Sequence, residues 1–192
     1  EIVGILLAAG SARRFGSDKL LHPLADGTPM AVASARTLRS VCCRCLVVLR
    51  PPQMALRALL LAEGLEVHEA EEANLGMGHS LALAVKAAPE ANGWLVALAD
   101  MPFVGAETVA AVVAALNQGA RIVAPVFEGR RGHPVGFSRE WRVALTGLQG
   151  DEGARSILAT HYGSIGPLYL CDGGFTLPSP VQLKGRGWPA SH

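Results

Sequence analysis

Short, wholly apolar runs alternate along this chain with segments whose apolar residues recur every three or four positions, the pattern of strands and helices taking turns in an α/β fold. Residues 2–8 carry no polar side chain, as a central strand buried on both faces requires. A loop rich in Gly, Arg and polar residues is predicted over 10–27. Thr28 then reads as an N-cap with Pro29 at the first helical position, opening a helix through about Leu38. A second strand is predicted at 45–49, halted by Pro51-Pro52, and a helix at 53–63, stopped by Gly64. Residues 65–70 form a weaker strand candidate, followed by the acidic loop 71–74. Gly76-Met77-Gly78 leads into a helix at 79–88, and 94–99 is another apolar strand, ending at Asp100-Met101-Pro102. Beyond it come a helix at 106–117, a strand at 121–126 and an Arg- and Gly-rich hairpin turn at 128–133. Two helices, 138–147 and 152–160, are split by the segment 147–153. One last strand, 167–171, precedes a Gly/Pro-rich tail. No repeat or low-complexity linker interrupts the pattern, so one domain spanning 1–192 is expected.

Composition narrows the class. Half of the residues are hydrophobic and 17% charged, with few aromatics, which suits helices packed on a buried sheet. A net charge of +1 gives no global drive toward nucleic acid or an anionic membrane, so any anion site must be local. No apolar run approaches the roughly 20 residues a membrane-spanning helix needs. The opening run also lacks the basic flank of a secretory signal, so a cytoplasmic location is expected. The cluster Cys42-Cys43-Arg44-Cys45 and the separate Cys171 lack a second Cys or His pair at zinc-site spacing. They are expected to be small buried hydrophobes in a reducing compartment. Met54, Trp94 and Trp141 are expected to pack in the core or half-buried.

The chemistry concentrates where apolar strands end. After the first strand comes Leu7-Ala8-Ala9-Gly10-Ser11-Ala12-Arg13-Arg14-Phe15-Gly16-Ser17-Asp18-Lys19. Open α/β sheets place ligands at this edge. Ala8, Ala9 and Gly10 leave room for backbone N–H groups to approach an anion, while Arg14 and Lys19 supply cations able to close over a triphosphate. Neither the Gly-x-x-x-x-Gly-Lys-Ser/Thr loop nor the Gly-x-Gly-x-x-Gly fingerprint is present, and a solvated basic loop is the plain alternative. Asp100 ends a second apolar strand, where its carboxylate suits a hard cation such as Mg²⁺; capping a helix near Val104 is the competing role. Gly76, Gly78 and Ser80 open a helix whose N-terminus favours an anion or a base edge, or which is simply a helix start. His133 lies in a basic turn, usually a solvated feature. Asp151 and Arg155 stand one helical turn apart, where a local ion pair or cap is the default.

The first of these stretches resembles the Leu-Ala-(Ala/Gly)-Gly-x-Ser-x-Arg-(Met/Phe)-Gly-x-x-Lys signature of the MobA-like nucleotidyltransferases, and among them the molybdenum cofactor cytidylyltransferases. Gly76-Met77-Gly78-His79-Ser80-Leu81, Ala99-Asp100-Met101-Pro102, Gly132-His133-Pro134 and Gly150-Asp151-Glu152-Gly153-Ala154-Arg155 follow in the family's order, across roughly residues 3–160. The resemblance implies a Rossmann-like three-layer sandwich of the nucleotide-diphospho-sugar transferase type, with a mainly parallel sheet. Two departures stand out. Ala12 replaces the family's Ser, and the C-terminal Asp-x-Asp-Thr-Pro-x-Asp segment is represented only by residues 170–178, with Asp172 as its carboxylate. The last strand would deliver Asp172 to the edge that carries Asp100, as a second and less essential metal contact.

The same resemblance implies a reaction: transfer of CMP from CTP to a molybdopterin-type cofactor, with pyrophosphate released. Arg14, Lys19 and Asp100 would carry the chemistry, with Mg²⁺ on Asp100. Leu7, Ala8, Ala9, Gly10, Gly76, Gly78 and Ser80 would touch the nucleotide, and His133, Asp151 and Arg155 the acceptor. Within the family Ala9 is associated with cytidylyl transfer and Gly at that place with guanylyl transfer. Two alternatives stay open. One is the same fold acting on a sugar phosphate or phospholactate; the other is a catalytically weak accessory factor that matures a molybdenum hydroxylase client. Neither nucleic acid nor membrane is an expected partner.

Overall fold

The computed structural model describes residues 1–8, 18–127, 130–161, 163, 165–171 and 174–176. Strand β1 (Ile2–Leu7) is the axis of the fold. It pairs in parallel with β2 (Cys45–Leu49) on one side and with β4 (Gly93–Leu98) on the other, and β2 pairs in parallel with β3 (Glu66–Glu69). Beyond β4 the direction reverses for one strand. β7 (Val135–Ser138) runs antiparallel to both β4 and β5 (Ile122–Phe127). Parallel pairing resumes between β5 and β8 (Ile165–Cys171). The two-residue β6 (Arg130–Arg131) pairs with β5, and β9 (Gly174–Thr176) pairs with β8. The sheet order is therefore β3-β2-β1-β4-β7-β5-β8-β9, with only β6, β7 and β9 opposing the common direction.

The period-two alternation of β1 explains why it carries no polar side chain. Ile2 and Leu6 join one buried cluster, with Leu38, Leu56, Leu60, Val109 and Val112 from the helices α2 (Met30–Arg39), α3 (Met54–Ala62) and α5 (Ala106–Asn117). Val3, Ile5 and Leu7 join a second, with Leu81 and Val85 of α4 (Met77–Ala87), Leu145 of α6 (Arg142–Thr146) and Ile157 of α7 (Arg155–Thr160). Helices thus cover both faces, and burying apolar side chains on both is the main force holding the layers together. The exposed edge strand β3 is shielded by charge. Arg44 holds Glu66 through two hydrogen bonds of 2.7 and 3.0 Å, which keeps that carboxyl below its usual range.

Several expectations are corrected. Thr28 does not cap α2: the helix begins at Met30 after Pro29, and the Thr28 N–H donates to Asp26 Oδ1 at 2.9 Å. The loop predicted over 10–27 contains the short helix α1 (Asp18–Leu21). The helix expected at 138–147 starts later, because Val135–Ser138 is taken into the sheet; a 3-10 turn, Arg139–Trp141, then leads into α6. The tail contributes β9. Trp94 and Trp141 are buried as expected, whereas Met54 is 79% exposed at the first turn of α3. Cys42 and Cys45 are buried free thiols and Cys43 is exposed. The neighbouring Cys42 side chain and burial hold the Cys45 thiol far above its usual range, and that thiol donates to the Cys42 carbonyl at 3.5 Å. Among the described residues no helix is long and apolar enough to cross a membrane.

Candidate active site

The site lies where β1 and β4 end side by side. Their register brings Leu7 opposite Leu98, and the Ala99 N–H donates to the Leu7 carbonyl at 3.0 Å. Asp100 is the next residue. It does not cap a helix, since α5 starts at Ala106 with Gly105 at the boundary. Lys19, in α1, places its Nζ 3.2 Å from Asp100 Oδ2. Both side chains are a little over 40% exposed, and such ion pairs contribute about 0–1 kcal/mol. Separating them to admit a ligand therefore costs little, and each end remains available for a charged group.

A hard divalent cation shared with a triphosphate needs only one or two protein carboxylates, the remaining positions being phosphate oxygens and water. Among the described residues no group of three His, Cys, Asp or Glu side chains could hold a metal, so a closed all-protein site is not formed there. Asp100 alone fits the shared arrangement, with the Lys19 ammonium standing where a cation would bind the carboxylate. Arg14, Ala9, Gly10 and Asp172 lie outside the described residues. Leu7 and Ala8 are buried, so a nucleotide could meet them through backbone only.

His133 borders a small cavity behind Asp100, lined also by Ser34, Leu38, Leu98, Met101 and Pro134. Burial holds its imidazole below the usual range and Arg155 pushes the same way, while the Asp100 carboxylate opposes both. Burial thus favours the neutral form of the His133 imidazole. Asp100 thus acts on His133 while pairing with Lys19, and these residues come from separate segments of the chain.

Ser34 supports the end of β4, although no motif marks it. It sits inside α2, buried, and its hydroxyl donates to the Ala99 carbonyl at 3.0 Å. That bond pins the residue before Asp100 to a helix on the far side of the cavity. Ser34→Ala leaves the buried carbonyl unpaired and is expected to destabilise the protein by about 1–3 kcal/mol. Chemical denaturation checks this, and an unchanged midpoint would contradict it.

The remaining candidates gather at the start of α4. Ser80 is fully buried and its hydroxyl donates to the Gly76 carbonyl at 3.3 Å. The Gly78 N–H donates to the Gly150 carbonyl at 2.8 Å, so a protein group already occupies this helix start. A Cβ on Gly78 would stand 2.6 Å from the Gln149 carbonyl oxygen, and one on Gly76 would meet Gly150 and the Asp151 carboxylate. The two glycines are thus accounted for by close approach of the segment 149–151. Asp151 and Arg155 do not form the local ion pair expected from their spacing; no such bridge is present among the described residues. Instead the Asp151 carboxylate lies beside Gly76 at the start of α4, and the Arg155 charge acts on the His133 imidazole.

Over residues 4–165 the chain matches the MobA-like NTP transferase domain. It belongs to that family, a class of nucleotidyltransferases with an NTP as substrate. Within it, the chain is 31% identical over 166 residues to the purine catabolism protein PucB of Bacillus subtilis (strain 168), covering 82% of this chain and 80% of that one. It is also 31% identical over 166 residues to nicotine blue oxidoreductase of Paenarthrobacter nicotinovorans, covering 82% and 81%. Among solved structures, Rv0371c of Mycobacterium tuberculosis H37Rv superimposes with a TM-score of 0.78 at 25% identity, over 96% of this chain and 95% of that one. A manganese complex of Rv0371c superimposes with a TM-score of 0.75 at 26% identity, over 88% of each chain. The fold is the expected one, a mainly parallel sheet between helices of the nucleotide-diphospho-sugar transferase type.

Proposed function

We propose that the protein transfers CMP from CTP to a molybdopterin-type cofactor, releasing pyrophosphate. The observation that carries this reading is the Lys19–Asp100 pair at the shared edge of β1 and β4, in a chain of this family. Transfer at an α-phosphate needs charge neutralisation and in-line alignment more than covalent help. A phosphorylated acceptor is already an anionic nucleophile, which accounts for the absence of a strong general base from the proposal. Lys19, with Arg14, would neutralise charge developing on the α-phosphate and the departing pyrophosphate. Asp100 would hold Mg²⁺, which supplies Lewis-acid stabilisation of the phosphoryl oxygens when bound. The manganese complex of Rv0371c supports use of a divalent metal. His133, Asp151 and Arg155 would bind the acceptor, the neutral imidazole leaving Arg155 as the cation facing its phosphate. Nothing in the reading requires nucleic acid or a membrane, and a cytoplasmic location suits its substrates.

The base preference is testable at Ala9. A methyl group there narrows the space for a purine, and one methyl discriminates by roughly 1–3 kcal/mol. CTP is therefore expected to be used better than GTP, with Ala9→Gly relaxing the preference. The test is pyrophosphate release from each nucleotide with the cofactor present; better use of GTP by the unaltered protein would overturn the cytidylyl assignment. A second reading is favoured by the names of the two relatives, neither of which is a transferase name. In it the chain is an accessory factor that binds cofactor or nucleotide for a molybdenum hydroxylase client. Binding without pyrophosphate release would select it.

A further inference from the structure

The segment between α6 and α7 has no regular structure, yet it is fastened to the start of α4. The Gly150 N–H donates to His79 Nδ1 at 3.0 Å, and the Gly150 carbonyl accepts the Gly78 N–H at 2.8 Å. Both backbone polar groups of one loop residue are thus committed to a helix 71 positions away in sequence. Gly150 can present them because it adopts a left-handed conformation, φ 66°, and the glycines at 76 and 78 let the backbones meet. His79 can accept this hydrogen bond only while Nδ1 carries no proton, so the contact selects the tautomer protonated at Nε2.

What the clasp positions comes directly after it in the chain. Asp151 follows directly and lies over Gly76, and Arg155, whose charge disfavours protonation of His133, begins α7 just beyond. A loop left free here would hold both side chains poorly, because binding groups need a supporting shell to be preorganised. We infer that His79 is a positioning residue: by accepting the Gly150 amide it fixes the segment 149–155, and so places Asp151 and Arg155 for the phosphorylated acceptor. The inference rests on the acceptor assignment proposed above.

The test compares His79→Phe, which keeps an aromatic ring and removes the acceptor atom, with His79→Asn, whose side-chain oxygen can occupy the place of Nδ1. In the ligand-free protein, the Gly150 amide is expected to exchange with solvent at least ~5-fold faster in His79→Phe, with protection largely restored in His79→Asn. In turnover, His79→Phe is expected to raise the KM for the molybdopterin-type acceptor about tenfold, the size of one lost hydrogen bond. The KM for CTP should change less, and His79→Asn should recover most of the loss. Unchanged exchange at Gly150 would overturn the clasp. Faster exchange with an unaltered acceptor KM would overturn the positioning role. If the unaltered protein transfers nothing to this acceptor, the proposed function fails and the positioning role fails with it. Normal transfer by the unaltered protein and by His79→Phe alike would sink this inference alone.

Discussion

Asp100→Asn is expected to lower turnover by at least ~10²-fold while leaving the protein folded, because one metal contact supports several kcal/mol of transition-state stabilisation. Two features separate the effect on activity from any effect on stability. The side chain is 42% exposed and its ion pair to Lys19 is of the weak surface kind. Asparagine has nearly the same shape, so the end of β4 and its bond to Leu7 should persist. What disappears is the negative charge, at a place where the described residues offer no other carboxylate in a metal-binding group. Steady-state turnover and a melting curve on the same preparation check the prediction. Near-normal turnover with a normal melting curve would remove Asp100 from the mechanism.

Gly76→Ala should have the largest effect on stability. Its φ of 124° is strained for any residue with a side chain, which costs on the order of 1–3 kcal/mol. The new Cβ would also stand 2.5 Å from the Gly150 carbonyl oxygen, so the segment 149–151 must move. Together these point to a loss of about 3 kcal/mol or more, and to roughly a 6–12 °C fall in Tm for a chain of this size. Gly119→Ala is the control. Gly119 also has a positive φ, 96°, but nothing lies within 4 Å of the added carbon, so it reads strain without collision. If both variants melt at the same temperature, the close approach of the two segments contributes nothing.

Which features the sequence announced follows from the range of the interactions involved. β1 and β2 were legible because burial on both faces leaves an unbroken apolar run, and α5 because burial on one face writes a helical period into the chain. The end of β4 was legible too, and with it Asp100, since a charged residue closing an apolar run marks the ligand edge. β7 was not. Val135-Gly136-Phe137-Ser138 is too short to show a period, and its place depends on partners β4 and β5 that are remote in sequence. Gly76 and Gly78 were read as opening a helix that favours an anion or a base edge; their second role, admitting Gln149 and Gly150, depends on a remote segment and left no local mark. His79 and Ser34 gave no signal, because each acts through one hydrogen bond to a backbone group dozens of residues away. Arg14 and Asp172 were read from motif and strand position, and both lie outside the described residues.

The central claim is that this site moves a nucleoside monophosphate from CTP to a phosphorylated acceptor. It is tested most directly by following CTP labelled at the α-phosphate, with Mg²⁺ and a molybdopterin-type cofactor, and measuring pyrophosphate in the same reaction. Label covalently joined to the acceptor is expected in amounts equal to the pyrophosphate released, both falling at least ~10²-fold in Asp100→Asn. Label that stays in CTP or appears only as free CMP would contradict it.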